Sequence, residues 1–383
     1  MIAELRARFN RDYTPEKYQH FLREIDRRSG APVKFRNSET PCFFPRELLE
    51  KMVGYGKELT HQLVGNPAYL AAALREIPPE FHAAGESAHP LFIQADFGID
   101  ANMEPKLVEI QGFPSLYAYQ PMLAETYRDV YGLPSHLRYE FVDDYLPAFR
   151  SAVLGGHDPE NVVLMEVNPE EQKTLADFRL TEKHCGIKTV CITNVVKRGN
   201  RLYYKGSNGD TLIRRIYNRA IVDEIVRKGI RPGFDFRDDL DVEWAGHPNW
   251  YFQISKFSLP YLQHVSVPKT WFLNQLSAIP EDLRNYVLKP LYSFAGLGVV
   301  IGPTLQQVQA ANPSLYILQE RVNFTPFVET PFGLTQAEVR VMYIWLDELQ
   351  AVTTIVRMGR GKMMGVDQNR DLEWVGASAG FFH

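Results

Sequence analysis

The sequence has few of the features that mark disulfide-rich, membrane-spanning or nucleic-acid-binding proteins. Its 383 residues include three cysteines, Cys42, Cys185 and Cys191, without metal-ligand spacing, so we expect no disulfide framework and a reducing, cytoplasmic compartment. No apolar run reaches the roughly 18 residues that span a bilayer, and the N-terminal segment lacks the apolar region of a signal peptide. The net charge of −4 argues against nucleic-acid and anionic-membrane partners.

Two common nucleotide-binding motifs are also absent. No G-x-G-x-x-G opens a helix after a strand, and no G-x-x-x-x-G-K-[ST] occurs, so neither a dinucleotide fold nor a P-loop is expected. We find no internal repeats and no low-complexity segment. The composition, 45% hydrophobic and 23% charged, is that of an ordinary globular protein, and the length suggests two or three domains.

The first third of the chain predicts helices followed by a pair of strands. Residues 45–76 carry apolar side chains at helical spacing, which Gly65 and Pro67 interrupt. Residues 91–111 read as two strands, separated by a turn at the sequence ANMEP.

A strand–helix–strand unit is predicted at residues 162–192. The run VVLMEV is the first strand, Asn168 can cap the following helix, Pro169 fits its first position and Gly186 can end it. The run IKTVCI is the second strand. The pattern favours a parallel α/β layer.

The segment 197–231 is basic, with ten Lys or Arg against three acids. It is either a solvated face or a patch that meets an anionic substrate. If the segment is extended, Arg215 and Arg219 fall on one face; if it is helical, Arg214 and Asn218 do. The sequence leaves both alternatives open.

Residues 286–303, YVLKPLYSFAGLGVVIGP, place a lysine at the end of one predicted strand and a small-residue loop before the next. Glycines such as Gly296 and Gly298 let backbone N–H groups approach phosphate oxygens, and Lys289 supplies a point charge. The arrangement therefore suits a nucleotide phosphate tail, although many such segments are only hairpins.

Neighbouring segments strengthen this interpretation. Lys256 lies upstream as a second potential phosphate contact, and the strand at 316–322 ends in Gln319-Glu320, where backbone groups can meet an adenine edge and a carboxylate can meet a ribose. This order of lysine, lysine with a glycine loop, and strand with an acidic end resembles the ATP-grasp superfamily. The resemblance implies that ATP binds under a glycine-rich β-hairpin lid, with Ser293 in the lid loop.

An ATP-grasp enzyme also needs oxygen ligands for Mg²⁺. Superfamily members commonly place them late, as an Asp on one strand and Glu-x-Asn on the next, but nothing after residue 322 fits. The early strand pair does: Asp96, Glu109 and Gln111 could converge, with Glu109 and Gln111 on one face. The resemblance implies that these three residues bind the metal.

The C-terminal segment TIVRMGRGKMMGVDQNRDLEWVGASAG resembles the ATP-grasp segment that carries an arginine, an asparagine and a small-residue loop beside the reacting substrate. Its elements match if the chain order is cut and rejoined. That is the arrangement of the circularly permuted ATP-grasp enzymes, the group similar to eukaryotic-type glutathione synthetase and glutathionylspermidine synthetase. Two departures stand out: Gln111 replaces the usual Asn, and the loop LYSFAGLG has no metal-binding Glu.

The fold expected from this resemblance is α/β (α+β), an ATP-grasp fold in permuted order with a Rossmann-like central lobe. Residues 1–150 would form the N-terminal part of the core with the metal-binding strands. Residues 151–245 would form the central α/β substrate lobe. Residues 246–383 would supply the ATP-binding lid and the C-terminal part of the core.

The implied activity is ATP- and Mg²⁺-dependent ligation of a small-molecule or peptide carboxylate to an amine through an acyl phosphate. Arg357 is the first candidate for stabilising that intermediate, and Arg340 the second. The residues implied to contact substrate are Ser115, Arg215, Arg219, Asn369 and Ser378. The alternatives are a phosphotransferase on the same fold and a non-catalytic nucleotide- or peptide-binding protein. The substrates are not specified by the sequence, and a homodimer is one option for the oligomeric state.

Overall fold

The computed structural model of the chain describes residues 1–207, 209–293, 296–361, 364 and 371–383. It has a mixed α/β fold with several sheets, as the sequence predicted at the level of fold class. None of the helices in these ranges is both long and apolar enough to cross a membrane.

The elements are numbered here in chain order. The helices are α1 (Ala3–Asp12), α2 (Pro15–Ser29), α3 (Arg46–Val64), α4 (Pro67–Arg75), α5 (Tyr119–Tyr131), α6 (Tyr145–Leu154), α7 (Leu175–Cys185), α8 (Val222–Arg227), α9 (Pro248–Gln253) and α10 (Leu305–Ala310). The strands are β1 (Cys42–Phe43), β2 (Phe92–Ile99), β3 (Pro105–Gln111), β4 (Val162–Glu166), β5 (Lys188–Cys191), β6 (Val196–Arg198), β7 (Arg201–Gly206), β8 (Gly209–Ile213), β9 (Arg215–Asn218), β10 (Glu243–Ala245), β11 (Thr270–Phe272), β12 (Tyr286–Pro290), β13 (Val300–Ile301), β14 (Tyr316–Glu320), β15 (Val328–Thr330), β16 (Gly333–Trp345), β17 (Leu349–Gly359) and β18 (Gly376–Phe381).

The largest sheet joins the two ends of the chain. Its order is β1-β18-β17-β16-β2-β3, and β15 adds to β16 as a seventh strand. Because β2 pairs with β3 on one side and with β16 on the other, the early segment 92–111 lies directly beside the late segment 333–359.

Each face of this sheet has its own core. On one face, Phe97, Val339 and Val341 pack in a cluster that includes side chains of α3 and α4. On the other, Met342 and Ile355 pack against side chains of α2, α5 and α6. The polar residues described below occupy part of this second face.

The middle of the chain forms a four-stranded parallel sheet, β10-β9-β4-β5, and a three-stranded meander, β6-β7-β8. This confirms the predicted parallel layer, including helix α7, which ends at Gly186 in a left-handed conformation. The predicted start of that helix was wrong. Asn168 has φ of 42° and is followed by a short 3₁₀ turn, so α7 begins only at Leu175.

A third unit, the antiparallel sheet β11-β14-β12-β13, contains the predicted hairpin, since β12 pairs with β13. Gly296 and Gly298 have φ of 74° and 75°, the left-handed region that glycine adopts without a steric penalty.

The predicted loop at 376–380 is instead the strand β18, buried along its whole length. Its small residues fit a close approach of other chain segments. A Cβ at Gly376 would lie 2.6 Å from the carbonyl oxygen of Arg36, and one at Gly380 would lie 2.8 Å from Oγ1 of Thr354.

Candidate functional site

A charged surface lies on one face of the large sheet, where β3, β2, β16 and β17 run side by side. In the register of these strands Asp96 is opposite both Glu109 and Arg340, and Glu338 is opposite Arg357. Directly opposed residues project to the same face. The four strands therefore bring three acids and two arginines together, and we call this set, with Lys256 and Lys289, the charge cluster.

Asp96 forms the base of the charge cluster. Its side chain is fully buried. Arg340 grips it in a fork, with Nε donating to Oδ1 at 2.5 Å and Nη2 donating to Oδ2 at 2.6 Å. Arg357 also donates to Oδ2 through Nη2. Both carboxylate oxygens are therefore committed to guanidinium groups.

Glu109 is held more loosely. Its Oε2 lies 3.4 Å from Nζ of Lys256, and its Oε1 lies 3.6 Å from Nη2 of Arg340. About a quarter of its side chain is exposed. Burial alone would raise the pKa of this carboxyl, but attraction by Lys256, Arg340 and further cations outweighs it and lowers the pKa to about 2. Glu109 is thus an ionised, partly accessible oxygen donor.

Two lysines approach from outside the large sheet. Lys289, on β12, donates to the carbonyl oxygen of Val108 at 2.9 Å and to Oε1 of Gln319 at 2.6 Å. Lys256, just after α9, donates to the carbonyl oxygen of Ser293 at 2.9 Å. The hairpin at 286–303 and strand β3 therefore face each other, although almost 200 residues separate them in sequence.

Burial tunes the pKa values within the charge cluster. Burial lowers the pKa of Lys289 to about 8, with repulsion by Lys256 adding to the effect and attraction by Glu109 opposing it. Burial raises the pKa of Glu338 to about 7, against the attraction of Arg357, which donates to its Oε1. The cluster holds a lysine and a carboxyl that both titrate close to neutrality.

An amide layer borders the charge cluster. Arg340 Nη1 donates to Oε1 of Gln94 at 3.0 Å, and Gln94 Nε2 donates to the carbonyl oxygen of Ser115 at 2.7 Å. With the Gln111 amide turned so that its oxygen faces Arg340, that oxygen lies 2.9 Å from both Nη atoms. Ser115 and Gln111 thus lie beside the cluster.

A narrow cavity of about 20 Å³, room for a single water, separates the end of β3 from the loop after β12 and the C-terminal end of α9. Glu109, Gln111, Lys256 and Ser293 line it, with Tyr292. The Tyr292 hydroxyl and Ser293 Oγ are buried there without a hydrogen-bond partner among the described residues. Strand β3 and the loop after β12 are therefore separated by a gap of about the size of one water.

Gln94 contacts the charge cluster and Glu338 is part of it, but neither was predicted as a site residue. The alternation of side chains along a strand could have identified both residues. Gln94 is two residues from Asp96 on β2, and Glu338 is two residues from Arg340 on β16, so each shares a strand face with a predicted site residue. Glu320, predicted to meet a ribose, follows Gln319 on β14 and so projects to the opposite face of that strand from the Lys289 contact.

A second buried arginine lies at the carboxyl ends of the central parallel strands. Arg219 follows β9, is 3% exposed, and has no acceptor among the described residues for Nε or Nη1. Its guanidinium lies 5.4 Å from the ring centre of Phe113 and 5.5 Å from that of Phe178. Phe113 also lines the narrow cavity, so Arg219 lies behind one of its walls.

Two acids near Arg219 have pKa values raised by burial. Burial raises the pKa of Glu166 to about 8, with attraction by Arg219 opposing the shift. Burial also raises the pKa of Asp177, whose Oδ1 accepts hydrogen bonds from the backbone N–H groups of Ala118 and Tyr119. We call Arg219, Glu166 and Asp177 the central pocket.

Two predicted substrate residues, Arg215 and Ser378, are not brought to these groups. Arg215 donates to the carbonyl oxygens of Ala152 and Val153 at the end of α6 and pairs with Glu243, which is a structural role. Ser378 is fully buried and donates to the carbonyl oxygen of Thr40. It follows Ala377, the residue opposite Arg357, so it projects to the other face of the sheet. Asn369 lies outside the described residues.

Sequence comparisons add no further assignment. No protein-family model matches the chain, and no curated protein is similar to it. The function therefore has to be argued from the site itself.

The residues present fit a magnesium ion in part. In the portion of the chain that the structure describes, no three His, Cys, Asp or Glu side chains are grouped to hold a metal. Mg²⁺ is usually held by one or two carboxylates together with substrate phosphates and waters. Glu109 and Gln111 supply oxygens of the right kind at the cavity wall, although the Gln111 oxygen also accepts from Arg340. Both oxygens of Asp96 are engaged by arginine.

Proposed function

We propose that the protein is an ATP- and Mg²⁺-dependent carboxylate–amine ligase that works through an acyl phosphate. One observation carries the proposal: Lys256 and Lys289 reach across to strand β3 next to a face that bears Arg340 and Arg357. Four cations around a partly exposed carboxylate suit a polyphosphate and a transferring phosphoryl group, where catalysis consists mostly of positioning and charge neutralisation.

In this proposal the fold is a circularly permuted ATP-grasp fold. The sheet β11-β14-β12-β13 is the lid, and the large sheet supplies the catalytic floor. The pairing of β2 with β16, elements from opposite ends of the chain, supports a cut-and-rejoined order. The central sheet would serve as the substrate lobe. Because such chemistry draws on cellular ATP and the three cysteines are free thiols, we propose a cytoplasmic location.

Lys256 and Lys289 would bind the ATP phosphates beneath the lid loop. Glu109 and Gln111 would hold Mg²⁺, which supplies charge neutralisation between the phosphates when bound. Arg340 and Arg357 would orient the γ-phosphate and the substrate carboxylate. The carboxylate attacks the γ-phosphorus, ADP leaves, and the amine then displaces phosphate from the acyl carbon.

Arg219 would anchor the acid substrate. A buried guanidinium with two N–H groups lacking acceptors costs free energy, and an anionic group of a ligand would remove that cost. Its position behind Phe113 would let one part of the acid bind in the central pocket while the reacting carboxylate lies near Arg357.

The proposal is tested by incubating the protein with Mg-ATP and an array of acids and amines, with ADP release and product mass as readouts. We expect ADP release that requires both an acid and an amine, and a product mass equal to their sum minus water. A phosphorylated product formed without amine would indicate a phosphotransferase. ATP binding without ADP release across the array would indicate a non-catalytic protein.

Glu109→Gln separates chemistry from folding in the same assay. It keeps the side chain's shape but removes the charge that would hold the metal, so turnover per folded molecule should fall by about two orders of magnitude or more. The melting temperature should fall as well, because the lowered pKa of Glu109 means that its charge stabilises the fold, so turnover is compared at a temperature at which the variant is folded. Glu104→Gln is the matched control, because Glu104 lies at the β2–β3 turn and pairs with Lys51. Full activity in folded Glu109→Gln would rule out the metal role.

A further inference from the structure

The carboxylates of the charge cluster differ in how they are engaged. Asp96 has no exposed side-chain surface and makes close hydrogen bonds to two arginines through both oxygens. Glu109 is about a quarter exposed and has only ion-pair contacts of 3.4 and 3.6 Å. A metal can therefore reach Glu109 with little rearrangement, whereas ligation by Asp96 requires breaking a forked arginine pair inside the protein.

The two arginines that bind Asp96 are not fully buried. The side chains of Arg340 and Arg357 are 11% and 23% exposed, so each makes a buried contact with Asp96 and keeps a part that solvent reaches. Arg357 is also fixed from the side by Glu338, and its Nε has no acceptor among the described residues. The pair has donor capacity left for an anion.

We infer that Asp96 is a positioning residue and not a metal ligand: its carboxylate holds Arg340 and Arg357 side by side, so that two guanidinium groups neutralise the transferring phosphoryl group. The inference rests on the proposed ligase function and deepens it. It departs from the metal-binding role that the superfamily resemblance implied for Asp96.

The geometry gives Asp96 this role through register. Asp96 is directly opposite Arg340 across β2 and β16, and Arg357 is one strand further, on β17. A planar guanidinium binds a carboxylate through two parallel hydrogen bonds, which fixes its plane. Asp96 sets that plane for Arg340 and accepts a hydrogen bond from Nη2 of Arg357. Both arginines are therefore ordered before substrate binds.

Metal affinity distinguishes the two roles. We would titrate Mn²⁺ into the full-length protein with a non-hydrolysable ATP analogue and measure bound Mn²⁺ by electron paramagnetic resonance. Asp96→Asn should keep Mn²⁺ affinity within about twofold of wild type, whereas Glu109→Gln should lose about tenfold or more. An equal loss in both variants would overturn the inference. No Mn²⁺–nucleotide binding by wild type would instead overturn the proposed function, and the inference with it.

Asp96→Asn leaves two buried arginines short of a countercharge, so that variant can fail to fold. A crystal structure of the wild-type protein with Mn²⁺ and the same analogue needs no variant. The anomalous signal of manganese should lie within about 2.2 Å of a Glu109 oxygen and outside coordination distance of Asp96. Manganese bound to an Asp96 oxygen would overturn the inference.

Chemical rescue tests positioning itself. Arg357→Ala should lose turnover, and added guanidinium ion should restore it by about tenfold because Asp96 and Glu338 still form a seat for it. In Asp96→Asn, Arg357→Ala the same addition should restore less than about twofold. Equal rescue in both backgrounds would show that Asp96 does not hold the guanidinium, since a purely structural residue would lower both rates without changing the response.

Discussion

The charge cluster and the central pocket both bury arginine, but they balance its charge in opposite ways. Arg340 and Arg357 each have a carboxylate within hydrogen-bond distance, supplied by the protein. Arg219 lies among two aromatic rings and two acids whose pKa values are raised, and part of its guanidinium has no acceptor. Both arginines of the charge cluster are paired with carboxylates of the protein, whereas we propose that an anion from outside supplies the missing acceptors of Arg219.

The two arrangements show that the partners of a buried charge indicate its role. Where the protein itself supplies the countercharge, the ion pair holds a fixed geometry, and removing one partner leaves the other buried and unpaired. A charge without a partner lowers the stability of the free protein and favours ligand binding. Three measurements test this difference between the charge cluster and the central pocket.

The largest effect is expected from Arg340→Met compared with Arg219→Met. Arg340→Met strips Asp96 of its forked partner inside the protein and should lower the free energy of unfolding by about 3–5 kcal/mol. Arg219→Met removes a poorly compensated charge and should change it by no more than about 1 kcal/mol. Denaturant unfolding of both variants measures this, and similar losses in the two would mean that Arg219 is paired as well as Arg340.

An intermediate effect is expected from Glu166→Gln as a function of pH. The folded-state pKa of about 8 exceeds the unfolded value, so wild-type stability should fall as pH rises from about 4.5 through 8. Glu166→Gln lacks this ionisation and should be more stable than wild type by at least about 1 kcal/mol at pH 8, with the advantage vanishing below pH 5.

Thermal melts across this range, with Glu160→Gln as an exposed control, would decide. A constant difference between Glu166→Gln and wild type at all pH values would show that Glu166 is not held neutral, and the central pocket would then contain a countercharge for Arg219.

The smallest effect is expected for Lys289, the lysine of the charge cluster that we propose binds the ATP phosphates together with Lys256. Its pKa of about 8 means that the ammonium form, which binds phosphate, is lost as pH rises above 8. ATP affinity should then weaken by up to about tenfold per pH unit. Lys289→Met should bind ATP more weakly at pH 7 and lose the pH dependence. Calorimetric titration at pH 7, 8 and 9 measures this, and a parallel slope in Lys289→Met would assign the titration to another group.

Much of this fold could be predicted from local pattern. The interruption of α3 and α4 at Gly65 and Pro67, the strands β2 and β3, and the hairpin at Lys289 follow from periodicity and turn residues that act over a few positions. The convergence of Lys289 on strand β3 came from the superfamily resemblance, because no local signal links residues 181 positions apart.

The predictions that differ from the structure depend on contacts between distant parts of the chain. Segment 376–380 has the composition of a loop, but it is a strand that pairs with β17 and β1. Arg36 and Thr354 approach Gly376 and Gly380 closely enough to require small residues there. Arg215 looked like a substrate contact because its neighbours at the end of α6 cannot be seen in the sequence. Asp96 was recognised as important, but its commitment to two arginines depends on the register of strands from opposite ends of the chain.

The pairing of β2 with β16 also sets a schedule for the growing chain. Asp96 and Arg340 are 244 residues apart, which at about 5–20 residues per second is roughly 12 to 50 s of synthesis. During that interval Asp96 and Glu109 have been synthesised without the two arginines, and their carboxylates are not yet paired with them. The central parallel sheet, whose strands lie within residues 162–245, can form in the meantime. The central sheet is thus available to fold before the opposite charges can meet, because Arg357 exists only once translation has passed β17.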